Sequence, residues 1–283
     1  MTCEKPTRRP TRIRAALLLA CAVTASCAST QEADEQEAVE AAFSFTFEEG
    51  AEGWTAGFAD YPVDFDPSIY ELDSGHRPLP DGLEGRGLYI QGHNRSDDLF
   101  MFFKRQVGGL KPDAEYSAVL SLDLATNVAE GLVGIGGSPG ESVFVKAGAS
   151  TVEPVTPEDD SGYFRMNIDK GNQSTGGESM VVVGHVAHPA LTGEEYRIKT
   201  LDSSASPVRV TADGEGRLWL IVGTDSGFEG LTALYYARIA CTLTPANPQD
   251  SETSVLGFDR SPPRRGENPG TWRTGESPDG RKG

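Results

Sequence analysis

The sequence predicts an all-β chain folded as a single-domain antiparallel β-sandwich. Three observations carry this. The 283 residues include 33 glycines and 18 prolines, yet 37% are hydrophobic. That is too rich in turn formers for a helical bundle and too apolar for a wholly disordered chain. Second, Tyr116, Ala118, Leu120, Leu122 and Leu124 alternate with Ser117, Val119, Ser121 and Asp123, the period of two that buries one face of a strand. Third, about twelve such short runs follow one another between Gly, Pro, Asp and Asn clusters, the layout of a sandwich. No repeat of 20–50 residues is visible, which excludes a solenoid or propeller.

The chain opens on a leader. Lys5, Arg8, Arg9, Arg12 and Arg14 precede an apolar run from Ala15 to Val23, followed by Thr24, Ala25 and Ser26. A basic segment, a short apolar segment and a small-residue exit make a secretory signal peptide. The run is shorter than the ~20 residues that span a bilayer. Val23-Thr24-Ala25-Ser26-Cys27 resembles the lipobox of bacterial lipoproteins, with Thr24 where Leu is commonest. The resemblance implies removal of residues 1–26, acylation of Cys27 and a membrane anchor made stable by several acyl chains. Cys21 is a second candidate, but it leaves only a stub of apolar run after Arg14. Ala28, rather than Asp, after the cysteine implies the outer membrane in a Gram-negative cell.

Residues 27–42 then read as an acidic tether, with Glu32, Asp34, Glu35, Glu37 and Glu40 and no basic residue. Residues 43–245 hold the strand runs: Phe43–Glu49, Leu88–Gly92, Leu99–Val107, the alternating run at Tyr116, Leu132–Gly136, Val143–Ala147, Tyr163–Ile168, Met180–Val186, Tyr196–Leu201, Val208–Ala212, Leu218–Gly223 and Leu234–Leu243. Residues 246–283 are rich in Pro and Gly, with six acids, six bases and no apolar periodicity, so disorder is expected. Cys241, inside an apolar strand, reads as a buried inert thiol.

Composition also excludes. The net charge is −17, and −21 once residues 1–26 are gone. Nucleic-acid binding needs a positive face, so it is not expected. Four cysteines do not make a disulfide scaffold.

Phe43-Ser44-Phe45-Thr46-Phe47-Glu48-Glu49-Gly50, followed by Gly53-Trp54, resembles the opening strand of galactose-binding-like and carbohydrate-binding jelly rolls. Gly109-Leu110-Lys111-Pro112-Asp113-Ala114-Glu115-Tyr116 is similar to the turn before a central strand in such domains. Leu234–Ile239 sits where their last strand returns beside the first. The resemblance implies a jelly-roll fold and, at the end of the first strand, a structural calcium. Glu48 or Glu49 would be one ligand. The Asp usual in the last strand is missing, and Asp225 and Glu229 stand just before it as substitutes. Calcium favours such hard oxygen ligands.

The loop His93-Asn94-Arg95-Ser96-Asp97-Asp98 offers donors, acceptors and both charge signs. Beside an aromatic platform, such groups read sugar hydroxyls, and rim loops commonly carry binding. Trp54, Tyr61, Tyr70 and Tyr89 are the nearby rings. The same loop also reads as a solvated turn with an Arg95–Asp98 pair. Asp169-Lys170-Gly171-Asn172-Gln173 reads as an Asx-turn. Thr224-Asp225-Ser226-Gly227 lacks the placed histidine that a serine nucleophile needs. Gly134-Ile135-Gly136-Gly137 precedes a strand, not the helix a phosphate loop needs. The expectation is a lipid-anchored envelope protein whose sandwich binds glycan or another envelope ligand without catalysis, with calcium as the candidate cofactor. The alternatives are an assembly protein that binds protein partners and an extracytoplasmic hydrolase.

Overall fold

The computed structural model describes residues 37–246. The leader, Cys27 and the tail lie outside them. In chain order the elements are β1 (Ala41–Phe45), β2 (Thr55–Ala59), β3 (Tyr61–Pro62), α1 (Pro67–Tyr70), β4 (Asp73–Pro78), β5 (Arg86–His93), β6 (Leu99–Val107) and β7 (Glu115–Thr126). They continue with β8 (Val143–Ser150), β9 (Tyr163–Phe164), β10 (Met180–His185), β11 (Arg197–Asp202), β12 (Val208–Thr211), β13 (Leu218–Ser226) and β14 (Leu231–Pro245).

The strands form a jelly-roll-like antiparallel β-sandwich. One sheet of seven strands runs β11-β7-β14-β5-β4, with β1 on β14 and β12 on β7. The other, of five strands, runs β10-β8-β13-β6-β2, and β3 pairs β9 in a small ribbon. The first strand lies beside the last, Ala41 opposite Leu243. Leu120, Leu122 and Leu124 of β7 point into the core, as their alternation requires. They meet Met101 and Phe103 of β6, Val145 and Ala147 of β8, and Leu220 and Val222 of β13. In β14 a bulge between Tyr236 and Arg238 shifts the register. It lets Leu234 and Tyr236 face inward on one side, and Ile239, Cys241 and Leu243 on the other.

Two predicted strands differ. Leu132–Gly136 is a loop with Val133 95% exposed, because the glycines around it give turn conformations instead of a ladder. Of Tyr163–Ile168, only Tyr163–Phe164 pairs. Ile168 packs elsewhere, in a second small core.

That second core distinguishes the two outer faces. Over the five-stranded sheet, residues 151–179 fold back and bury Ala59, Phe100, Phe102, Ile168, Met180 and Ile221, with Met166 beside them. The Ala149 amide donates to the Ser179 carbonyl at 3.0 Å. A Cβ on Gly148 would strike that carbonyl, so a glycine is what admits the covering segment. The outer face of the seven-stranded sheet carries no such cover among the described residues.

Cys241 is a free thiol, 2% exposed, and burial pushes its pKa up to about 12. Its thiolate is therefore scarce at neutral pH. We expect Cys241 to resist iodoacetamide at pH ~8 in the folded chain and to react once urea unfolds it. Mass spectrometry of the Cys241 peptide reads this, and rapid native labelling would contradict the placement of β14.

Candidate functional site

Strand β13 alternates Leu220, Val222 and Thr224 inward, which turns Asp225 onto the covered face with its side chain 0% exposed. A carboxylate there must be compensated. Asp225 Oδ2 accepts from Lys146 Nζ at 2.7 Å, Lys170 Nζ at 2.8 Å and the Gln173 amide at 2.9 Å. Lys146, equally buried on β8, also donates to the carbonyls of Lys170 at 2.9 Å and Thr175 at 3.0 Å. Its three ammonium donors are thus all used. Lys170 reaches Asp60 Oδ2 at 2.9 Å, and Arg165 reaches Asp60 Oδ1 at 2.8 Å.

The electrostatics follow from this packing. Burial pulls Lys146 below its ordinary pKa, with the Asp225 charge opposing. Burial opposes the charge of Lys170 as well, but Asp225 and Asp60 outweigh it and raise its pKa. Burial also opposes the charge of Asp225, but Lys170, a hydrogen bond from Asp98 and Lys146 hold its carboxyl below the usual range. Asp98 moves the other way. Burial first, then the hydrogen bond to Asp225, then the charges of Asp225 and Asp60, push it up to about 8.

Oxygens of Asp60, Asp98 and Asp225 lie within 4.8 Å of one another, a spacing that could hold a metal ion. The charge balance fits one poorly. Asp60 and Asp225 already pair with Lys146, Lys170 and the part-exposed Arg165, so an ion there would meet three resident cations. Nor are the calcium ligands read from the sequence brought together. Glu48 is exposed and lines a different pocket with Leu79, Glu84 and Arg86. Glu49 is exposed in the loop between β1 and β2. Glu229 is exposed, its amide bonded to the Ile135 carbonyl. After β1 the carboxylate that turns in is Glu52, whose Oε1 accepts the amides of Thr46 and Phe47.

The polar loop after β5 divides between two faces. Asn94 is 1% exposed and donates to the Ser226 carbonyl at 2.8 Å. Asp97 and Asp98 turn toward an open pocket of about 470 Å³ with Asp60, Arg165, Asp169 and Asn172. His93 and Arg95 stay on the other side. His93 Nδ1 lies 2.9 Å from Glu71 Oε1, and Arg95 donates to the Ile69 carbonyl at 3.2 Å. The Arg95–Asp98 pair suggested by the sequence does not form, because Asp98 faces the buried ions. Asp169 makes the expected Asx-turn, accepting the Gly171 amide at 2.9 Å. Ser226 is buried, its hydroxyl donating to the Phe228 carbonyl.

The aromatic platform is elsewhere than predicted. Trp54 is 4% exposed and packs edge-on against Phe45 in the core. Tyr70 is buried with Tyr61 and Phe65. On the outer face of the seven-stranded sheet, a row crosses the strands instead. Arg77 of β4 lies 4.0 Å over the ring of Tyr89. Tyr89 of β5 sits 4.8 Å from its register partner Tyr235 of β14. Tyr235 meets Tyr196, just before β11, edge-to-face at 5.9 Å. Tyr196 and Tyr235 are half-buried. Gln91 and His93 share the Tyr89 face of β5 by alternation. Tyr196 and Tyr235 are far apart in sequence, and only strand pairing unites them. The signal was the outward phase of Tyr235 beside inward Leu234 and Tyr236.

No family model and no curated protein sequence matches the chain. Among solved structures, one of similar layout is a carbohydrate-binding module studied for mannan recognition, at 12% identity, covering 75% of this chain and 100% of that one, TM-score 0.35. Another comes from work on promiscuous carbohydrate-binding modules of the β-sandwich superfamily, at 10% identity and TM-score 0.33, covering 68% of this chain. This chain spans only 58% of that one's length. A third is a Stig cyclase from Fischerella sp. TAU, at 12% identity, covering 73% and 100%, TM-score 0.36.

Removing one partner from a buried pair strands the other. We expect Lys146→Met to cost about 3–5 kcal/mol, against less than about 1 kcal/mol for Arg217→Ala, whose pair with Asp213 is partly exposed. Urea unfolding midpoints test this, and equal costs would contradict the burial assigned to Lys146.

Proposed function

We propose that the chain is an envelope lipoprotein whose β-sandwich is a non-catalytic carbohydrate-binding module, held to the membrane through acylated Cys27. The observation that supports it is the tyrosine row on the uncovered sheet face. Sugar rings present C–H faces that stack on aromatic rings, and hydroxyls that need donors and acceptors. Tyr235 and Tyr196 offer the stacking surface. Arg77, Gln91, His93 and Arg95 line the same side with polar groups. Rings immobilised by one another lose little freedom on binding, which lowers the cost of association. The carboxylates there are engaged, Asp73 with Arg77 and Glu71 with His93, so binding on this face needs no calcium. A hydrolase is disfavoured, since Ser226 and Asp225 are sealed from substrate.

A second reading, an assembly component that binds protein, is favoured by the exposed Leu132, Val133 and Ile135. Apolar tips of this kind mark contact sites.

Calorimetry against a panel of neutral oligosaccharides, with and without calcium, decides between them. We expect binding in EDTA, weakened tenfold or more (about 1.4 kcal/mol) by Tyr235→Ala and by Tyr196→Ala. Asp97→Ala, in the pocket on the other side, should leave affinity unchanged. An intact chain that binds no glycan overturns the reading. Separately, Cys27→Ser should move the protein from the membrane fraction to the soluble fraction. Unchanged fractionation would remove the anchor.

A further inference from the structure

The covered face encloses an amine, a carboxylate and a second acid in one cluster. Lys146 on β8 and Asp225 on β13 belong to neighbouring strands of the five-stranded sheet, with Gly223 opposite Lys146 and Asp225 opposite Phe144. They are diagonal neighbours on one face, an offset that a lysine stem spans. Both side chains are 0% exposed, and Lys146 Nζ lies 2.7 Å from Asp225 Oδ2. Phe100 and Phe102 pack where a side chain on Gly223 would stand, so apolar groups adjoin the pair. The two oxygens of Asp225 have different surroundings. Oδ2 accepts Lys146, Lys170 at 2.8 Å and the Gln173 amide at 2.9 Å. Oδ1 receives no lysine, arginine or amide donor although it is buried, and the same holds for Asp98 Oδ1. Asp98 brings a carboxyl oxygen within 4.8 Å of Asp225. An ion pair alone gives no reason for three donors on one oxygen and an acid beside the other. Amide formation does.

We propose that Lys146 and Asp225 condense, once the chain has folded, into an isopeptide bond between β8 and β13. Nζ attacks Cγ of Asp225, and a C–N bond forms as the Cγ–Oδ1 bond breaks. The ammonium and the carboxylate together hold the atoms of one amide and one water. Two protons leave Nζ and both end on Oδ1, which departs as water. Asp98 carries them across and finishes as it began. Nothing is oxidised or reduced, and no co-reactant enters. Charge that develops on Oδ2 during the attack meets Lys170 and the Gln173 amide, donors already in place. Oδ2 stays as the amide oxygen with both of them. The remaining N–H keeps one of the carbonyls that Nζ holds, of Lys170 or Thr175. The water leaves past Asp98, which lines the open pocket of about 470 Å³. Partners fixed in contact act at an effective concentration of roughly 10⁵–10⁸ M. Lys170 is the other amine in reach, but it divides between Asp225 and Asp60 and belongs to a loop instead of a paired strand. The bond is independent of sugar binding on the opposite face.

The test is mass spectrometry of the full chain, unfolded in urea and digested with trypsin. A lysine in amide linkage escapes trypsin. Peptide 106–165 should therefore appear coupled to peptide 218–238, lighter than their sum by one water. Lys146→Arg keeps the cation, and circular dichroism verifies its fold. It should give separate peptides at full mass. Asp98→Asn, which lacks the proton carrier, should leave most of the chain unlinked. A folded wild type that yields peptides 106–146 and 218–238 separately overturns the bond. Loss of water that persists in Lys146→Arg, or a link through Lys170, overturns the assignment to Lys146. Complete linking in Asp98→Asn overturns the transfer through Asp98.

Discussion

The Asp225 carboxylate, at zero exposure on the outside of a sheet, is the constraint from which the arrangement follows. An uncompensated charge there would cost more than most domains have in net stability. Lys146 alone leaves part of it unsatisfied. Lys170 and the Gln173 amide add two more donors to the same oxygen, and both belong to the segment that folds back over the sheet. The segment therefore docks in one register. Its apolar residues Met166 and Ile168 reach Phe100 and Phe102 only when the ions meet. Buried pairs of this kind add little net stability, so we assign this one to specifying where the segment lies.

The closure of one face decides the use of the other. With the five-stranded sheet covered, the tyrosine row on the seven-stranded sheet is the broad aromatic surface left to solvent among the described residues. Its members support one another, because Arg77 covers Tyr89, Tyr89 braces Tyr235, and Tyr235 braces Tyr196. Aromatic pairs at these separations favour tilted and edge-on arrangements, so the rings keep their positions without a ligand.

Much of the sandwich was legible because period-two alternation is a local property. Strand β6 runs Leu99–Val107 as read, and β7 buries the residues that its alternation marks. Short or polar strands such as β4, with Asp73, His76 and Arg77, carry no such signal, since pairing with β5 rather than hydrophobicity makes them strands. Trp54 was misread because a ring near a polar loop in sequence need not be near it in space. Lys170 was read only as part of an Asx-turn, and in the fold it is the cation between Asp60 and Asp225. Asp98 was read in an exposed loop, although its partner Asp225 lies more than a hundred residues on. Charge partners joined across sheets leave no local trace.

The length of β14 has one more consequence. Its 15 residues extend roughly 46–50 Å at ~3.3 Å per residue. Leu243, beside incoming Ala41, marks one pole of the sandwich, and Leu231, opposite His93, marks the other. The described chain arrives and departs at the first pole, while the loop 94–98 hangs from the second. Both described ends therefore leave the loop 94–98 at the far pole clear of the entering and departing chain.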